Sequence, residues 1–361
     1  MKNDLLRKLL SAGRLTGRGR LMQATASIQR ALAQSATSAA TAQRAATAMA
    51  GTLARARQPE VRSDAGTAVV DAPPAQAGFT RSSFTGASGT REFKLFVPAG
   101  RDGDALPLVV MLHGCTQGPD DFATGTRMNA LAERAGVCVL YPEQAARSNA
   151  HRCWNWFVPG DQQRGAGEPA LIAGMTRHVM QAHAIDPARV YVAGLSAGGA
   201  MAAILAREYA DLFAAAGIHS GLPAGAAHDV ASAFTAMKSG VTAGRGAGGT
   251  MAPLIVFHGS ADATVAAANG NAVIATALAA EIGAVPSEHS GRTASGRAWR
   301  RTVWHRREAE DAPSLAEHWQ IDGAPHAWSG GSAAGSFTDP TGPDASAEML
   351  RFFIEHARVP A

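Results

Sequence analysis

The sequence predicts an α/β fold built on a mainly parallel, doubly wound sheet. Apolar runs of strand length alternate with helical segments along residues 106–356, and this alternation favours a parallel sheet with helices on both faces. Some runs, such as 106–112, are apolar throughout, as expected of strands that are buried on both sides. The chain has 361 residues, of which 46% are hydrophobic and 17% charged, enough for one large domain and an extension.

The N-terminal segment differs in composition from the rest. Residues 1–60 carry ten basic and two acidic side chains, a net charge of +8, so the remainder is mildly acidic because the whole chain is +4. Leucines recur at roughly helical spacing, with arginines on the other face and glycines interrupting the pattern. We predict an Ala/Arg-rich helical extension at 1–57, amphipathic or partly disordered, a linker at 58–80 and a folded domain at 81–361.

Charge and hydropathy exclude several functional classes. The basic charge is confined to the extension, so we expect no nucleic-acid partner. No apolar run reaches the roughly 18 residues of a membrane span, and no apolar stretch of a secretory signal is seen near the N-terminus. The histidines and cysteines lack metal-ligand spacing, and we expect neither a metal nor another cofactor. The extension is a candidate for contact with a polymer granule or an anionic surface.

The strands follow the chain in order. Residues 91–98 alternate and end in proline, which suits a half-buried strand. The other strands are short apolar or β-branched runs, predicted at 106–112, 136–142, 190–195, 213–219, 253–258, 301–305 and 317–321.

The helices fall between these runs, where the apolar spacing changes to the helical period. We predict helices at 122–135, 169–183, 200–208, 263–282 and 344–356, and a long irregular insertion at 147–168.

The segment 190–208 holds the strongest functional signal. An apolar strand runs into a Gly-x-Ser-x-Gly turn, with Gly194, Ser196 and Gly198, and then into a helix. Strand, sharp turn and helix form the context in which such a serine is a nucleophile. The glycines allow the backbone to close around a strained serine, and the helix N-terminus favours an oxyanion. A glycine-rich turn without catalysis is the alternative.

A serine nucleophile needs a base and an acid that orients the base, in the chain order Ser, Asp, His. Asp262 follows the strand 253–258, and His326 lies on a Gly/Pro-rich loop after the last strand. The alternatives are a helix N-cap for Asp262 and a surface-loop histidine for His326. Asp322 is a rival acid, but it is too close to His326 in sequence.

Other polar residues at strand ends have different predicted roles. We expect His113 and His258 to stabilise loop backbone, and His219 to be a candidate for lining the cleft. The oxyanion hole needs two backbone donors. We predict the N–H of Ala197 as one and the N–H of Cys115 as the other, with Thr116 as the second choice for the latter.

Five motifs together resemble the polyhydroxybutyrate depolymerase-type esterases, which have the α/β-hydrolase fold and are similar to feruloyl and acetylxylan esterases. The resemblance covers about residues 80–358 and rests on these motifs: Leu112-His113-Gly114-Cys115-Thr116-Gln117, Arg152-Cys153-Trp154-Asn155-Trp156-Phe157, Gly194-Leu195-Ser196-Ala197-Gly198-Gly199-Ala200-Met201, His258-Gly259-Ser260-Ala261-Asp262 and His326-Ala327-Trp328-Ser329-Gly330-Gly331.

The resemblance implies the triad Ser196, Asp262 and His326, with Cys115 and Ala197 at the oxyanion hole. It also implies an aromatic wall from Trp154 and Trp156, and we place Trp328 in the same substrate cleft. Ser329 stands where proline is usual in the family, which predicts a less rigid loop after His326. The extension lies outside the resemblance.

Cys115 and Cys153 both lie on loops near the predicted cleft, so they are candidates for a disulfide, whereas Cys138 lies within an apolar strand. A disulfide indicates an oxidising compartment, but the missing signal peptide indicates the cytoplasm. The resemblance implies an extracellular enzyme, with the cytoplasm as the alternative.

The sequence therefore predicts a serine esterase that acts on short hydroxyacyl esters, such as poly(3-hydroxybutyrate) oligomers, through an acyl-enzyme. One alternative is a feruloyl or acetylxylan-type carbohydrate esterase. Another keeps the triad but makes the protein an acyltransferase or a peptidase. A third, from a different class, is a granule- or surface-binding protein with a hydrolase fold as its scaffold.

Overall fold

The computed structural model describes residues 78–100, 103, 105–241, 251–306 and 313–358. The extension predicted at 1–57 and the linker up to residue 77 lie outside the described residues. The first strand begins at Phe79, two residues before the predicted start of the folded domain.

The described strands number twelve, and ten of them form one sheet in the order β1-β2-β4-β3-β5-β6-β7-β10-β9-β8. The remaining two form a small parallel pair. The strands are β1 (Phe79–Gly86), β2 (Gly89–Phe96), β3 (Leu106–Leu112), β4 (Cys138–Pro142), β5 (Ile185–Leu195), β6 (Ala215–His219), β7 (Leu254–Gly259), β8 (Val285–Arg292), β9 (Ala298–His305), β10 (Ala316–Ile321), β11 (Trp328–Ser329) and β12 (Thr338–Asp339).

The centre of the large sheet is parallel, from β4 through β3, β5, β6 and β7 to β10. The two edges are antiparallel hairpins, β1–β2 and β8–β9. The predicted parallel sheet is thus confirmed for its centre.

The helices cover both faces. They are α1 (Pro119–Thr126), α2 (Met128–Ala135), α3 (Gly167–Ala182), α4 (Ala197–Glu208), α5 (Val230–Ser239), α6 (Ala268–Ala277) and α7 (Ala345–Glu355), with a short 3₁₀ helix at Pro159–Asp161. Alternate residues of β3 enter two separate apolar clusters, one with α3, α4, α5 and α6 and the other with α1, α2 and α7. This burial on both sides explains why β3 is apolar throughout.

Several elements differ from the predictions. The helix expected at 122–135 is two helices, because Arg127 between them has φ 55° and its guanidinium donates to the carbonyl of Gly330 at 2.6 Å. The helix expected at 263–282 is confined to α6. The strands β1 and β8 and the helix α5 have no counterpart among the predictions.

Candidate active site

Ser196 lies in a strained turn between β5 and α4. Its φ of 58° and ψ of −117° place a non-glycine residue in a backbone region that costs of order 1–3 kcal/mol. The turn is held because the Ser196 N–H donates to the carbonyl of His219 at 2.9 Å, and the Ser196 carbonyl accepts from Ala200 N–H at 2.9 Å. Ser196 is 9% exposed, and its hydroxyl has no hydrogen-bond partner among the described residues.

Glycine is required on both sides of this serine. A Cβ on Gly194 would lie 2.4 Å from the carbonyl carbon of Gly198, so the turn closes on itself only without that atom. A Cβ on Gly198 would lie 2.0 Å from the carbonyl oxygen of Leu112 and 2.6 Å from that of His113. These contacts pack the serine turn directly against the loop that follows β3.

Asp262 and His326 form a hydrogen-bonded pair. The Nδ1 of His326 lies 2.7 Å from Oδ2 of Asp262, while Oδ1 accepts the N–H groups of Thr264 and Val265 at 2.9 and 2.8 Å. Burial alone would raise the pKa of Asp262, but hydrogen bonds from His258 and His326 outweigh it and hold that pKa well below its usual range. Asp262 is therefore a carboxylate at neutral pH, and a carboxylate only accepts, so Nδ1 of His326 carries the proton.

The sheet brings Ser196 and His326 to the same end of its parallel strands. β5, β6, β7 and β10 are consecutive parallel neighbours, and Ser196, Asp262 and His326 each follow the carboxyl end of one of them. In α/β sheets, ligands bind outside the carboxyl ends of the strands. No hydrogen bond joins Ser196 to His326 here, and such bonds are often long until a substrate is bound.

His219 connects the turn at Ser196 to the loop after His326. Its carbonyl accepts the Ser196 N–H, and its ring Nε2 accepts the N–H of Ser329 at 3.0 Å. Burial, followed by the neighbouring charges of His258 and His326, lowers the pKa of His219 to about 3. The ring is 1% exposed and neutral, so it holds backbone in place and does not line a cleft.

Two backbone N–H groups remain candidates for the oxyanion hole. Ala197 is the first residue of α4, where an N–H has no partner within the helix. The N–H of Cys115 has no acceptor among the described residues, whereas the N–H of Thr116 is engaged by the carbonyl of His151 at 2.6 Å. The geometry therefore favours Cys115 over Thr116. Gln117 supports the loop by accepting the N–H of Gly114 at 2.9 Å.

A disulfide ties this loop to the insertion at 147–168. Cys115 and Cys153 are bonded, with Cα atoms 4.2 Å apart. Cys138 is a buried free thiol, and burial raises its pKa to about 11. The link fixes the position of Cys115, whose N–H is a candidate oxyanion donor.

The three tryptophans predicted to line the cleft are buried instead. Trp154 is 0%, Trp328 1% and Trp156 6% exposed. Trp154 donates its indole N–H to the His113 carbonyl at 3.1 Å, and Trp328 donates to Ser346 Oγ at 3.0 Å. Trp328 also packs edge-on against the ring of Phe122. The cleft prediction is wrong for Trp154 and Trp328, which are buried. Trp154 supports the loop that carries Cys115, and Trp328 packs in an apolar core cluster.

Ser329 does not loosen the loop after His326. Its N–H donates to His219, its Oγ donates to the Pro343 carbonyl at 2.7 Å, and the residue is buried. It also belongs to the β11–β12 pair. The expectation of a less rigid loop is therefore wrong.

The rival side chains lie in other environments. The carboxyl of Asp322 accepts the hydroxyl of Ser260 at 3.2 Å, whereas His326 pairs with Asp262. The ring of His113 has one nitrogen 2.8 Å from the Gly114 carbonyl and the other 3.1 Å from the N–H of Gln144, as expected for a loop-stabilising role.

A buried cluster beneath the insertion was not predicted. Glu168 accepts the N–H of Asn155 at 2.7 Å, contacts Gln144, and lies 3.6 Å from the guanidinium of Arg91. Burial raises the pKa of Glu168 to about 6. Asn155 lies in a motif of the sequence, but no motif marks Arg91, Gln144 or Glu168, because their role depends on contacts between distant segments.

Within the described ranges, no group of three or more His, Cys, Asp or Glu side chains is placed to hold a metal ion. The same ranges contain no helix of the length and apolarity that a bilayer crossing requires.

The family model described as esterase PHB depolymerase matches residues 91–297. Poly(3-hydroxyalkanoate) depolymerase C of Paucimonas lemoignei is 40% identical over 206 residues, which cover 54% of this chain and 49% of that protein. Feruloyl esterase B of Thermothelomyces thermophilus is 33% identical over 175 residues, 48% of this chain and 59% of that protein. The chain thus spans about half the length of these curated relatives.

Among solved structures, acetyl xylan esterase from Aspergillus awamori matches with a TM-score of 0.60 and 20% identity, covering 76% of this chain and 99% of that one. At this identity the likeness concerns the fold alone. It confirms the predicted α/β-hydrolase fold.

Proposed function

Because the chain belongs to the esterase PHB depolymerase family, we propose that it is a serine esterase that hydrolyses short hydroxyacyl esters, such as poly(3-hydroxybutyrate) oligomers. The 2.7 Å bond from His326 to Asp262 carries the proposal, because it lies at the same sheet edge as a strained serine. The match to poly(3-hydroxyalkanoate) depolymerase C supports the hydroxyacyl substrate.

The proposed reaction begins with proton transfer from Ser196 Oγ to Nε2 of His326. The Asp262 carboxylate holds the proton on Nδ1, so Nε2 presents its lone pair to the serine. Oγ then bonds to the ester carbonyl carbon, and the N–H groups of Ala197 and Cys115 stabilise the oxyanion. Asp262 stabilises the imidazolium that forms.

The intermediate collapses when the ester bond breaks and the alcohol leaves with the proton from His326. The acyl group is then on Ser196. Water attacks this acyl-enzyme as His326 takes its proton, and the second collapse releases the acid and returns the proton to Ser196.

A feruloyl or acetylxylan-type ester is the second candidate substrate class. The 33% identity to feruloyl esterase B supports it. We also propose an oxidising, extracellular location, because the Cys115–Cys153 disulfide is of a kind that persists in such compartments.

Hydrolysis of a substrate panel tests the function. p-Nitrophenyl butyrate, 3-hydroxybutyrate oligomers and methyl ferulate are compared for the wild type and Ser196→Ala. We expect kcat/KM to be highest on the hydroxybutyrate oligomers and to fall at least about 10³-fold in the variant, because the nucleophile is lost.

Other outcomes are equally informative. A preference for methyl ferulate would move the substrate class to plant cell-wall esters. An ester product formed with added alcohol would indicate an acyltransferase. Turnover that survives in Ser196→Ala would refute the serine mechanism.

A further inference from the structure

Two buried histidines next to the triad have unpaired ring nitrogens. His258 lies one residue before the end of β7 and His318 lies on the adjacent strand β10, and they are 2% and 4% exposed. Nδ1 of His258 and Nε2 of His318 have no hydrogen-bond partner among the described residues. A buried polar atom without a partner is uncommon and costly, so these two atoms need an explanation.

The contacts of His258 fix its protonation. Its Nε2 lies 3.0 Å from the carbonyl oxygen of Val265, which only accepts, so Nε2 carries the proton. The same N–H lies 3.5 Å from Oδ2 of Asp262, the oxygen that also accepts from His326. Asp262 therefore faces the N–H groups of two histidines, and Nδ1 of His258 is left without a partner among the described residues.

The two unpaired nitrogens lie on either side of one glycine. A Cβ on Gly270, in α6, would be 3.0 Å from Nδ1 of His258 and 3.0 Å from Nε2 of His318. The nitrogens are thus at most twice that distance apart, yet they form no direct hydrogen bond. One water molecule with two ordinary hydrogen bonds spans separations up to about this limit.

We propose that His258 is a positioning residue for Asp262 and that an internal water, held between His258 and His318 beside Gly270, keeps it in place. The water donates to Nδ1 of His258 and accepts from Nε2–H of His318. This fixes the His258 tautomer whose Nε2–H faces Asp262. The opposite tautomer would turn a lone pair toward both the carboxylate and the Val265 carbonyl.

The inference rests on the proposed function, since Asp262 matters here as the acid of the triad. The row His318, water, His258, Asp262 and His326 is connected by polar contacts, since Nε2 of His258 lies 3.5 Å and Nδ1 of His326 2.7 Å from Oδ2 of Asp262. A change at Gly270 or His318 is then transmitted to the orientation of His326 without contact with the substrate.

Gly270→Ala is the sharpest test, because the new Cβ takes the place of the water and leaves the three histidines and Asp262 intact. We expect kcat on p-nitrophenyl butyrate to fall about 10- to 100-fold with KM nearly unchanged, as for a small misplacement of a catalytic group. Asn271→Ala, an exposed residue of the same helix, is the matched control.

Substitution of His258 provides the second variant pair. His258→Leu removes the donor to Asp262, and we expect a similar loss of kcat. His258→Gln keeps an N–H within reach and should recover most of that loss, which a merely space-filling role would not produce.

Nuclear magnetic resonance of the wild type tests the proposal without substrate. We expect the ¹⁵N signals of His258 to show the Nε2–H tautomer and a water cross-peak to its ring. We expect the far-downfield proton of the His326–Asp262 bond to shift in Gly270→Ala but not in Asn271→Ala. A His258 ring protonated on Nδ1, or an unshifted signal with unchanged kcat, would overturn the proposal. Absence of serine-dependent turnover in the wild type would instead refute the proposed function, because these signals do not depend on it.

Discussion

Ser196 and its neighbours have little room to change. The serine is strained, and the glycines beside it make backbone contacts that no side chain could share. The loop carrying Cys115 packs on Gly198, so the proposed nucleophile and the proposed oxyanion-hole donor are positioned by the same contact. A substitution there affects stability and catalysis together.

We predict that Gly198→Ala lowers the free energy of unfolding by about 3 kcal/mol, the upper end of the usual cost of overpacking. The new Cβ would lie 2.0 Å from the carbonyl oxygen of Leu112. Both atoms are fixed by the backbone, so neither can move aside as the end of a flexible side chain could. This clash is relieved only if the serine turn moves away from the loop that carries Cys115, so kcat should also fall. Denaturant unfolding and ester hydrolysis measure the two effects.

Gly160→Ala is the matched control, since a Cβ there has nothing within 4 Å. It should change neither quantity appreciably. Equal effects of the two substitutions would show that the contact at Gly198 is not what holds the turn.

At the residue scale, the sequence predicted positions better than environments. The glycine pattern around Ser196 and the strand ends before Asp262 and His326 carry their own signals, and the structure brings the last two within hydrogen-bonding distance. Trp154 and Trp328 gave no such signal, because an aromatic side chain suits a core as well as a cleft. Glu168 was missed as a site-supporting residue since its partners come from contacts across the fold. His258 was predicted to stabilise loop backbone, and its 3.0 Å contact with the Val265 carbonyl confirms this, but its place 3.5 Å from Asp262 was not predicted.

At the element scale, two loops depend on one covalent link. The Cys115–Cys153 disulfide joins the loop after β3 to the insertion 147–168. Glu168 accepts the N–H of Asn155 and lies 3.6 Å from Arg91 of β2, which anchors the insertion to the body. The candidate oxyanion donor at Cys115 is therefore held by a segment distant in sequence.

We predict that breaking this disulfide, by reductant or by Cys153→Ala, lowers kcat/KM and also the free energy of unfolding. The closed loop spans a sequence separation of 38, for which the loop-entropy model gives about 4 kcal/mol. The loss of activity should precede unfolding as reductant is raised, since the Cys115 loop is released first. Activity and far-ultraviolet circular dichroism, followed together, measure the order.

Cys138→Ala is the control for the reduction experiment, because Cys138 is a buried free thiol outside the disulfide. This variant should keep the same response to reductant as the wild type. Full activity in Cys153→Ala would show that the link is not needed to position Cys115.

The two strands that the sequence failed to predict, β1 and β8, share a physical cause. β8 is an exposed edge strand with the sequence Val-Pro-Ser-Glu-His-Ser-Gly-Arg, and pairing with β9 alone holds it. β1 is also mostly exposed at the opposite edge. Such strands lack the apolar signal of a buried strand. Likewise, the break at Arg127 falls on a non-glycine residue two positions after Gly125, and it depends on a contact with Gly330.

At the scale of the whole molecule, buried histidines link folding to pH. Burial lowers the pKa values of His113, His219 and His318 to about 4, about 3 and about 3, against about 6.5 in an unfolded chain. At pH values between about 4 and 6.5, these three histidines each bind a proton in the unfolded chain but not in the native protein. Glu168 acts oppositely between about pH 4.3 and 6, because its raised pKa lets the native state bind one proton more.

We predict that the free energy of unfolding falls as pH decreases from about 6.5 toward 4.5. Near pH 5 the net uptake on unfolding is about two protons, which corresponds to a slope of about 2.7 kcal/mol per pH unit. Asp262 adds nothing in this window, since its lowered pKa contributes stability above about pH 3.9 that is lost only at more acid pH. Urea unfolding at a series of pH values measures the slope.

Glu168→Gln removes the opposing proton and should steepen the slope to about 4 kcal/mol per pH unit, even if the variant is less stable overall. A wild-type slope of less than one proton between pH 4.5 and 6.5 would contradict the assignment of these histidines as neutral in the native state.

The buried tryptophans also give the protein an optical reporter of its own. Trp154 follows a disulfide-bonded cysteine and donates to the loop that carries Cys115, and Trp328 lies two residues after His326. Indole emission depends on exposure to water, and disulfides quench it. The fluorescence spectrum of the unlabelled protein therefore reports on the loops around Ser196. An inhibitor that moves either loop changes the wavelength or the intensity of the emission.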